Sequence, residues 1–237
     1  MIVLALDSSA DLVGAAVLRD GAPLAERTRR APRPSSEGLL PIAESVLSDG
    51  GVTLNEVDLV AVATGPGSFN GIRGGIATAE GLAFALGITA VGVPTLDALA
   101  YCVFGRAPLV CAVLPAGRGQ FYGAAYEGTW SGWRRRGDYS LAALEEHLGV
   151  LPPGTLLCGQ LSEEAAREAT RRGIEHAPPH ATFSRVTAIG VIGVERLGAG
   201  DDVAVSLHPL YLRRPGITQS TRPLSAVNPG GDRPTAR

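Results

Sequence analysis

The sequence predicts an α/β fold made of two similar halves. Three observations carry that prediction. Short apolar runs alternate with helical patterns along the 237 residues. The first three runs are joined by tight turns and the next ones by helices, so a meander passes into parallel βα units. The same order recurs, more weakly, after Gly105.

In chain order, Ile2 to Leu6 is a short apolar strand ending at Asp7-Ser8-Ser9, and Leu12 to Leu18 is a second. Asp20-Gly21 is a hairpin turn signal, and Leu24 to Thr28 reads as a third, more polar strand. Arg29 to Gly38 carries Pro32 and Pro34 and reads as a loop. Leu39 to Leu47 is a helix with Leu39, Leu40, Ala43, Val46 and Leu47 apolar, closed by Gly50-Gly51. Val57 to Thr64 is a buried strand, Ile76 to Leu86 a helix that Gly87 ends, and Ile88 to Val93 another strand. Pro94 fits the first turn of a helix running from Thr95 to Phe104.

The second half opens with a strand over Leu109 to Leu114, a turn at Pro115-Ala-Gly-Arg-Gly119 and a strand over Gln120 to Tyr126. Trp133 to Tyr139 reads as a third strand, and Ser140 as the N-cap of a helix bearing Leu141, Leu144 and Leu148. Thr155 to Cys158 is a strand, Ser162 to Arg172 an amphipathic helix, and Val186 to Leu197 a further apolar helix. The expected division is therefore 1–104, 105–214 and a loose tail at 215–237, where Pro, Gly, Ser, Thr and Arg leave little to bury.

Composition excludes several chemistries. The net charge is -2, which does not suggest bulk electrostatic binding of nucleic acid. All 21 basic residues counted as Lys+Arg are arginines, so no P-loop lysine, Schiff-base lysine or lysine general base exists. Cys102, Cys111 and Cys158 sit in apolar runs and read as buried reduced thiols. No apolar run reaches the ~20 residues of a membrane span, and a cytoplasmic chain with no membrane contact is expected. His176 and His180 are the only histidines near metal-ligand spacing, but the prolines between them spoil helical presentation.

One stretch organises the chain: Gly65-Pro-Gly-Ser-Phe-Asn-Gly-Ile-Arg-Gly-Gly75. Gly65, Gly67 and Gly71 permit backbone angles that a Cβ forbids. Such a turn either aims N–H groups at an anion or is a tight crossover with no ligand, and spacing does not choose. The helix after it is apolar nearly all round, so one side covers its own sheet and the other needs a second cover.

Asp7, followed by Ser8 and Ser9, stands where actin-like ATPases hold magnesium and nucleotide phosphates; it also fits a turn cap. The matching hairpin of the second half lacks a partner acid, and Arg118 there can touch a phosphate but not hold Mg²⁺. A vestigial nucleotide site of Asp7, Ser8, Ser9, Gly65, Gly67, Ser68 and Arg118 is the resulting expectation. Arg27, Arg29, Arg30 and Arg33, and Arg134 to Arg136 beside Trp130 and Trp133, are basic clusters that either meet RNA or are solvated.

Six segments then carry a resemblance. They are Leu4-Ala-Leu-Asp-Ser-Ser9, Ser36-Glu-Gly-Leu-Leu-Pro41, Gly65 to Arg73, Gly92-Val-Pro-Thr-Leu96, Gly117-Arg-Gly-Gln-Phe-Tyr122 and Pro209-Leu-Tyr-Leu-Arg213. Together they resemble the TsaB (YeaZ) family of bacterial tRNA threonylcarbamoyladenosine synthesis. The resemblance implies an actin-like (ASKHA) fold of two ribonuclease-H-like halves, related to M22 glycopeptidases but without catalysis. It implies pairing with the catalytic paralogue TsaD, recruitment of the ATPase TsaE, contact with tRNA through the complex, and a homodimer when alone. The implied interface is Leu39, Leu40, Ala43, Val46, Leu47, Ile76, Ala79, Glu80, Leu82, Ala83 and Leu86. No cofactor is implied for the chain alone, ATP and Mg belonging at most to the complex. Ser35, Asn70 and Pro115-Ala116 depart from the family pattern, the last weakening any case for hydrolysis. The alternatives are an ATP-dependent phosphotransferase using Asp7 and, on fold analogy only, a metallopeptidase.

Overall fold

The first strand sets the frame because its alternate side chains serve two different cores. The computed structural model describes residues 1–31, 38–129, 132–199 and 207–213. In β1 (Ile2–Asp7), Leu4 and Leu6 point to one face while Val3 and Ala5 point to the other, and all are buried. A strand covered on both faces reads as a continuous apolar run rather than an alternation.

β2 (Leu12–Arg19) and β3 (Ala22–Arg30) complete the meander, and Asp20-Gly21 turn the hairpin with φ of 50° and 79°. α1 (Leu39–Asp49) follows, then β4 (Leu59–Gly65), α2 (Phe69–Leu86), β5 (Thr89–Pro94) and α3 (Thr95–Tyr101). The sheet order is β3-β2-β1-β4-β5, antiparallel through the meander and parallel across β1-β4-β5. α1 and α2 cover the Leu4 face.

The second half repeats this arrangement with β6 (Leu109–Gly117), β7 (Gln120–Thr129), β8 (Gly132–Ala143), β9 (Leu156–Gly159) and β10 (Glu175–His176). Its order is β8-β7-β6-β9-β10, with the same parallel and antiparallel pairs. The internal repeat expected from the sequence is thus present strand for strand. α4 (Leu144–Gly149) and α5 (Glu163–Arg171) cover its outer face through Leu144, Leu148, Ala165 and Ala169. Ser162 caps α5 by accepting the Ala165 N–H at 3.2 Å. Among the described residues no helix is long and apolar enough to cross a membrane.

Packing departs from the expected 104/105 division in the last helix. α6 (Arg185–Ala199) comes after all the strands yet packs on the first sheet, where Ile189 and Ile192 meet Val3, Ala5, Ala61 and Val93. α3 is the shared wall: Ala98 joins that cluster while Leu96, Leu99 and Ala100 join the core under β6 and β7.

Four local readings change. α2 begins at Phe69, so most of the glycine-rich stretch is helix, and Ser68 caps it by accepting the Gly71 N–H. α3 stops at Tyr101, short of Phe104. Ser140 lies in β8 and donates to the Gly123 carbonyl at 3.1 Å, and the helix starts only at Leu144. Strand pairing of Ser140 with Gly123 and Leu141 with Tyr122 overrides the cap signal. β10, two residues long, has no periodicity to be read. The expectations for 32–37, for Trp130 and for the tail from 215 fall outside the described residues.

Candidate functional site

The turn after β1 and the turn after β4 meet at the cleft between the halves. Asp7 is fully buried. Its Oδ1 accepts the Ser9 N–H at 2.8 Å and the Ser9 hydroxyl at 2.7 Å. Its Oδ2 accepts Nε–H of Arg185 at 2.5 Å. Arg185, on α6, is itself 3% exposed and also donates to the Leu12 carbonyl at 3.2 Å. Both carboxylate oxygens are therefore engaged inside the protein, and the counter-ion is a guanidinium. The expectation that Asp7 faces a phosphate and a metal gives way here, because the side chain points inward to a charge supplied by the fold.

The glycines answer to packing. A Cβ on Gly67 would stand 2.1 Å from the Ser9 carbonyl oxygen, and one on Gly71 would stand 1.9 Å from that of Ser8. The Ser68 N–H donates to the Ser9 carbonyl at 2.7 Å, and the Ser8 hydroxyl donates to the Gly71 carbonyl at 2.8 Å. Ser8, Ser9, Gly67 and Ser68 thus form one turn-on-turn contact. Gly65 adopts φ 101°, which a side chain would strain, and its Cβ would meet Ile72 and the Leu210 carbonyl.

Ser9, Gly67 and Ser68 also line a cleft of about 270 Å³, facing Pro115, Ala116 and Tyr122 of the second half. The Gln160 amide bridges it to the Asp11 carboxylate. Arg118 is not drawn in: it sits exposed at the β6–β7 hairpin tip with φ 57°. Among the described residues no cluster of His, Cys, Asp and Glu could hold a metal. Burial pushes the thiols of Cys102 and Cys111 up to about 12, so neither is a nucleophile at neutral pH.

The helix surface is a different candidate, and the structure redistributes its residues. Leu39, Ala43, Val46, Leu47, Ile76 and Ala79 belong to the core under the first sheet, and Ala83 is 6% exposed. They cannot meet a partner, because helical periodicity turns them toward their own strands. Glu80 is committed to the Leu207 N–H at 2.9 Å. Leu82 and Leu86 are half-buried, and Leu40 is 50% exposed. The outward stripe of α2 is Ala77, Gly81, Phe84 and Ala85, with Phe84 91% exposed. The expected interface leaves out Phe84, although its spacing sets it with Ala77 and Ala85, off the face of Ile76, Ala79 and Ala83. Arg185 was missed because 178 residues separate it from Asp7.

Comparison with known proteins places this geometry. A family model for TsaD, tRNA N6-adenosine threonylcarbamoyltransferase, matches residues 29–209. The tRNA threonylcarbamoyladenosine biosynthesis protein TsaB of Escherichia coli is 33% identical over 138 residues, 56% of this chain and 59% of that protein. An uncharacterized protein of Mycobacterium tuberculosis is 33% identical over 215 residues, 90% of this chain and 92% of its own. The structure of YeaZ from Pseudomonas aeruginosa superimposes with a TM-score of 0.70 at 24% identity, covering 89% of this chain and 99% of that one. The fold is actin-like, with the same five-strand order in both sheets.

Proposed function

The chain belongs to the TsaB (YeaZ) family of tRNA threonylcarbamoyladenosine biosynthesis proteins, and from that premise we propose that it acts as a non-catalytic subunit supporting the catalytic paralogue TsaD. The observation that carries the reading is the outward stripe of α2. Phe84 stands 91% exposed among Ala77, Gly81 and Ala85, one large ring on a flat small-residue surface. A large ring left in water on a flat surface of small residues is a knob for another protein. In this reading the same face pairs two copies of the chain when TsaD is absent, and the assembled pair recruits TsaE and meets tRNA.

The buried ion pair supports the non-catalytic half of the reading. An actin-like phosphotransferase needs a carboxylate free to hold a metal-bound phosphate. Asp7 has both oxygens taken, and Pro115-Ala116 brings no acid across the cleft.

Phe84→Asp tests the proposal. The site is solvated, so the monomer should melt as wild type. Binding of TsaD should weaken by at least about 30-fold, the roughly 2 kcal/mol of a hot spot. Unchanged complex mass in sedimentation velocity would refute it.

A further inference from the structure

A second, larger cavity of about 710 Å³ lies away from the cleft and has no part in the pairing surface. Its floor is the carboxyl end of β4 and β5, at Thr64 and Pro94. Ligands of open parallel sheets lie outside the carboxyl ends of the strands. Its opposite wall is β8, where Trp133 and Arg135 share one side of the strand.

The lining is built to hold ligand groups of both signs. Asp97 Oδ1 accepts the hydroxyls of Tyr126 and Tyr139, each at 2.7 Å, which fixes the carboxylate at the cavity wall. Glu195 is a second carboxylate on the lining. Burial raises the pKa of both, so each gains from a hydrogen-bond donor brought against it. Facing them, the Arg135 guanidinium lies 3.9 Å from the Tyr139 ring centroid, and its Nε–H donates to the Gly137 carbonyl at 2.9 Å. Arg134 also lines the cavity, its side chain 73% exposed and in ion contact with Glu127. Trp133 is braced by Tyr126 and Tyr101, at centroid distances of 5.3 and 6.1 Å.

A purely anionic ligand would meet two carboxylates, and a purely cationic one would meet arginines. A free amino acid would satisfy the charges but leave the ring walls and most of the volume unfilled. A nucleotide fits all three demands: a flat base for Trp133, base N–H donors for Asp97 and Glu195, and a phosphate for the β8 arginines. We propose that this cavity is a nucleotide-binding site, taking the base between β8 and α6 and the phosphate on the arginine edge of β8. An unpaired residue of an RNA and a free nucleotide share this chemistry. The choice of RNA rests on the proposed role in tRNA modification; the nucleotide site does not.

The test uses the full chain and two probes: a labelled seven-nucleotide single-stranded RNA with its duplex form, followed by anisotropy, and 5′-AMP as competitor. The single strand should bind more tightly than the duplex, and AMP should compete. Trp133→Leu and Arg135→Gln should each weaken binding by about tenfold, the scale of one stacked base. Arg135 is exposed, so its variant keeps the wild-type melting curve and stays informative if Trp133→Leu disturbs packing. RNA binding tighter than AMP assigns the site to RNA, and AMP binding with no RNA advantage assigns it to free nucleotide. Binding of neither probe, equal binding of duplex, or wild-type affinity in both variants would overturn the site. Both variants should still bind TsaD, so failure here leaves the pairing surface standing, and failure of Phe84→Asp leaves this site standing.

Discussion

Asp7 and Arg185 show how one ionic contact can close a site. Their charges meet at 2.5 Å with 0% and 3% of the side chains exposed. Breaking a buried pair strands a charge away from water, so Arg185→Met should cost about 3–5 kcal/mol in urea denaturation. The double variant Asp7→Asn with Arg185→Met should cost much less than the sum of the singles, because they share one contact. Additive losses would mean the pair is not coupled. Asp97 gives a pH signature. Burial raises its folded pKa over its unfolded value, with the two tyrosines pulling the other way. A raised carboxyl contributes stability that is present below the unfolded pKa and lost as pH rises through the folded one. Asp97→Asn keeps an acceptor for Tyr126 and Tyr139 without that titration. Its stability relative to wild type should therefore climb as pH rises from the ordinary carboxyl value of about 4 through the raised folded one, and then level off. A flat or falling difference would contradict the assignment. The sequence offered Asp7 as a metal-and-phosphate carboxylate or as a turn cap, and the Ser9 N–H on its Oδ1 is the turn-cap contact. The Arg185 counter-ion was not legible, because only the return of α6 to the first sheet brings it there.

At the scale of elements, α2 carries both the success and the failure of periodicity. The reading found a helix apolar on nearly every side and inferred a second cover. It then named Ile76, Ala79 and Ala83 for the partner, and these are buried in the protein itself, because the strongest apolar series of a helix faces the core. The two faces should separate cleanly by mutation. Ala83→Arg places a charge at a 6% exposed site against the sheet and should lower the melting temperature sharply. Phe84→Asp, one residue on, should leave it unchanged. Equal effects on thermal melting would show that both faces are buried. The glycine-rich stretch was legible for the same local reason: Gly67 and Gly71 sit where two turns touch, and no other residue fits. Ser140 misled because strand pairing across 17 residues outweighed a good local cap.

At the scale of the whole molecule, the two five-stranded sheets repeat in order and direction, and that repeat was readable from the succession of strands and helices. Much of what joins them was not, because the polar contacts between them are remote in sequence. Asp97 receives two tyrosines of the second sheet, Gln160 reaches Asp11, and α3 serves both cores. The segment 207–213 straps both halves: the Leu210 N–H donates to Thr64 at 2.8 Å, and Arg213 donates to Ala116 at 2.8 Å and to Gln120. The result leaves the cleft tied from within and the α2 stripe open to a neighbour. The most direct measurement is photo-cross-linking in the assembled complex from a photoreactive phenylalanine analogue placed at Phe84, with Val150, 81% exposed on the second half, as the comparison position. Covalent adducts with TsaD should form from position 84 and not from position 150. Adducts from position 150 with none from position 84 would contradict the pairing surface.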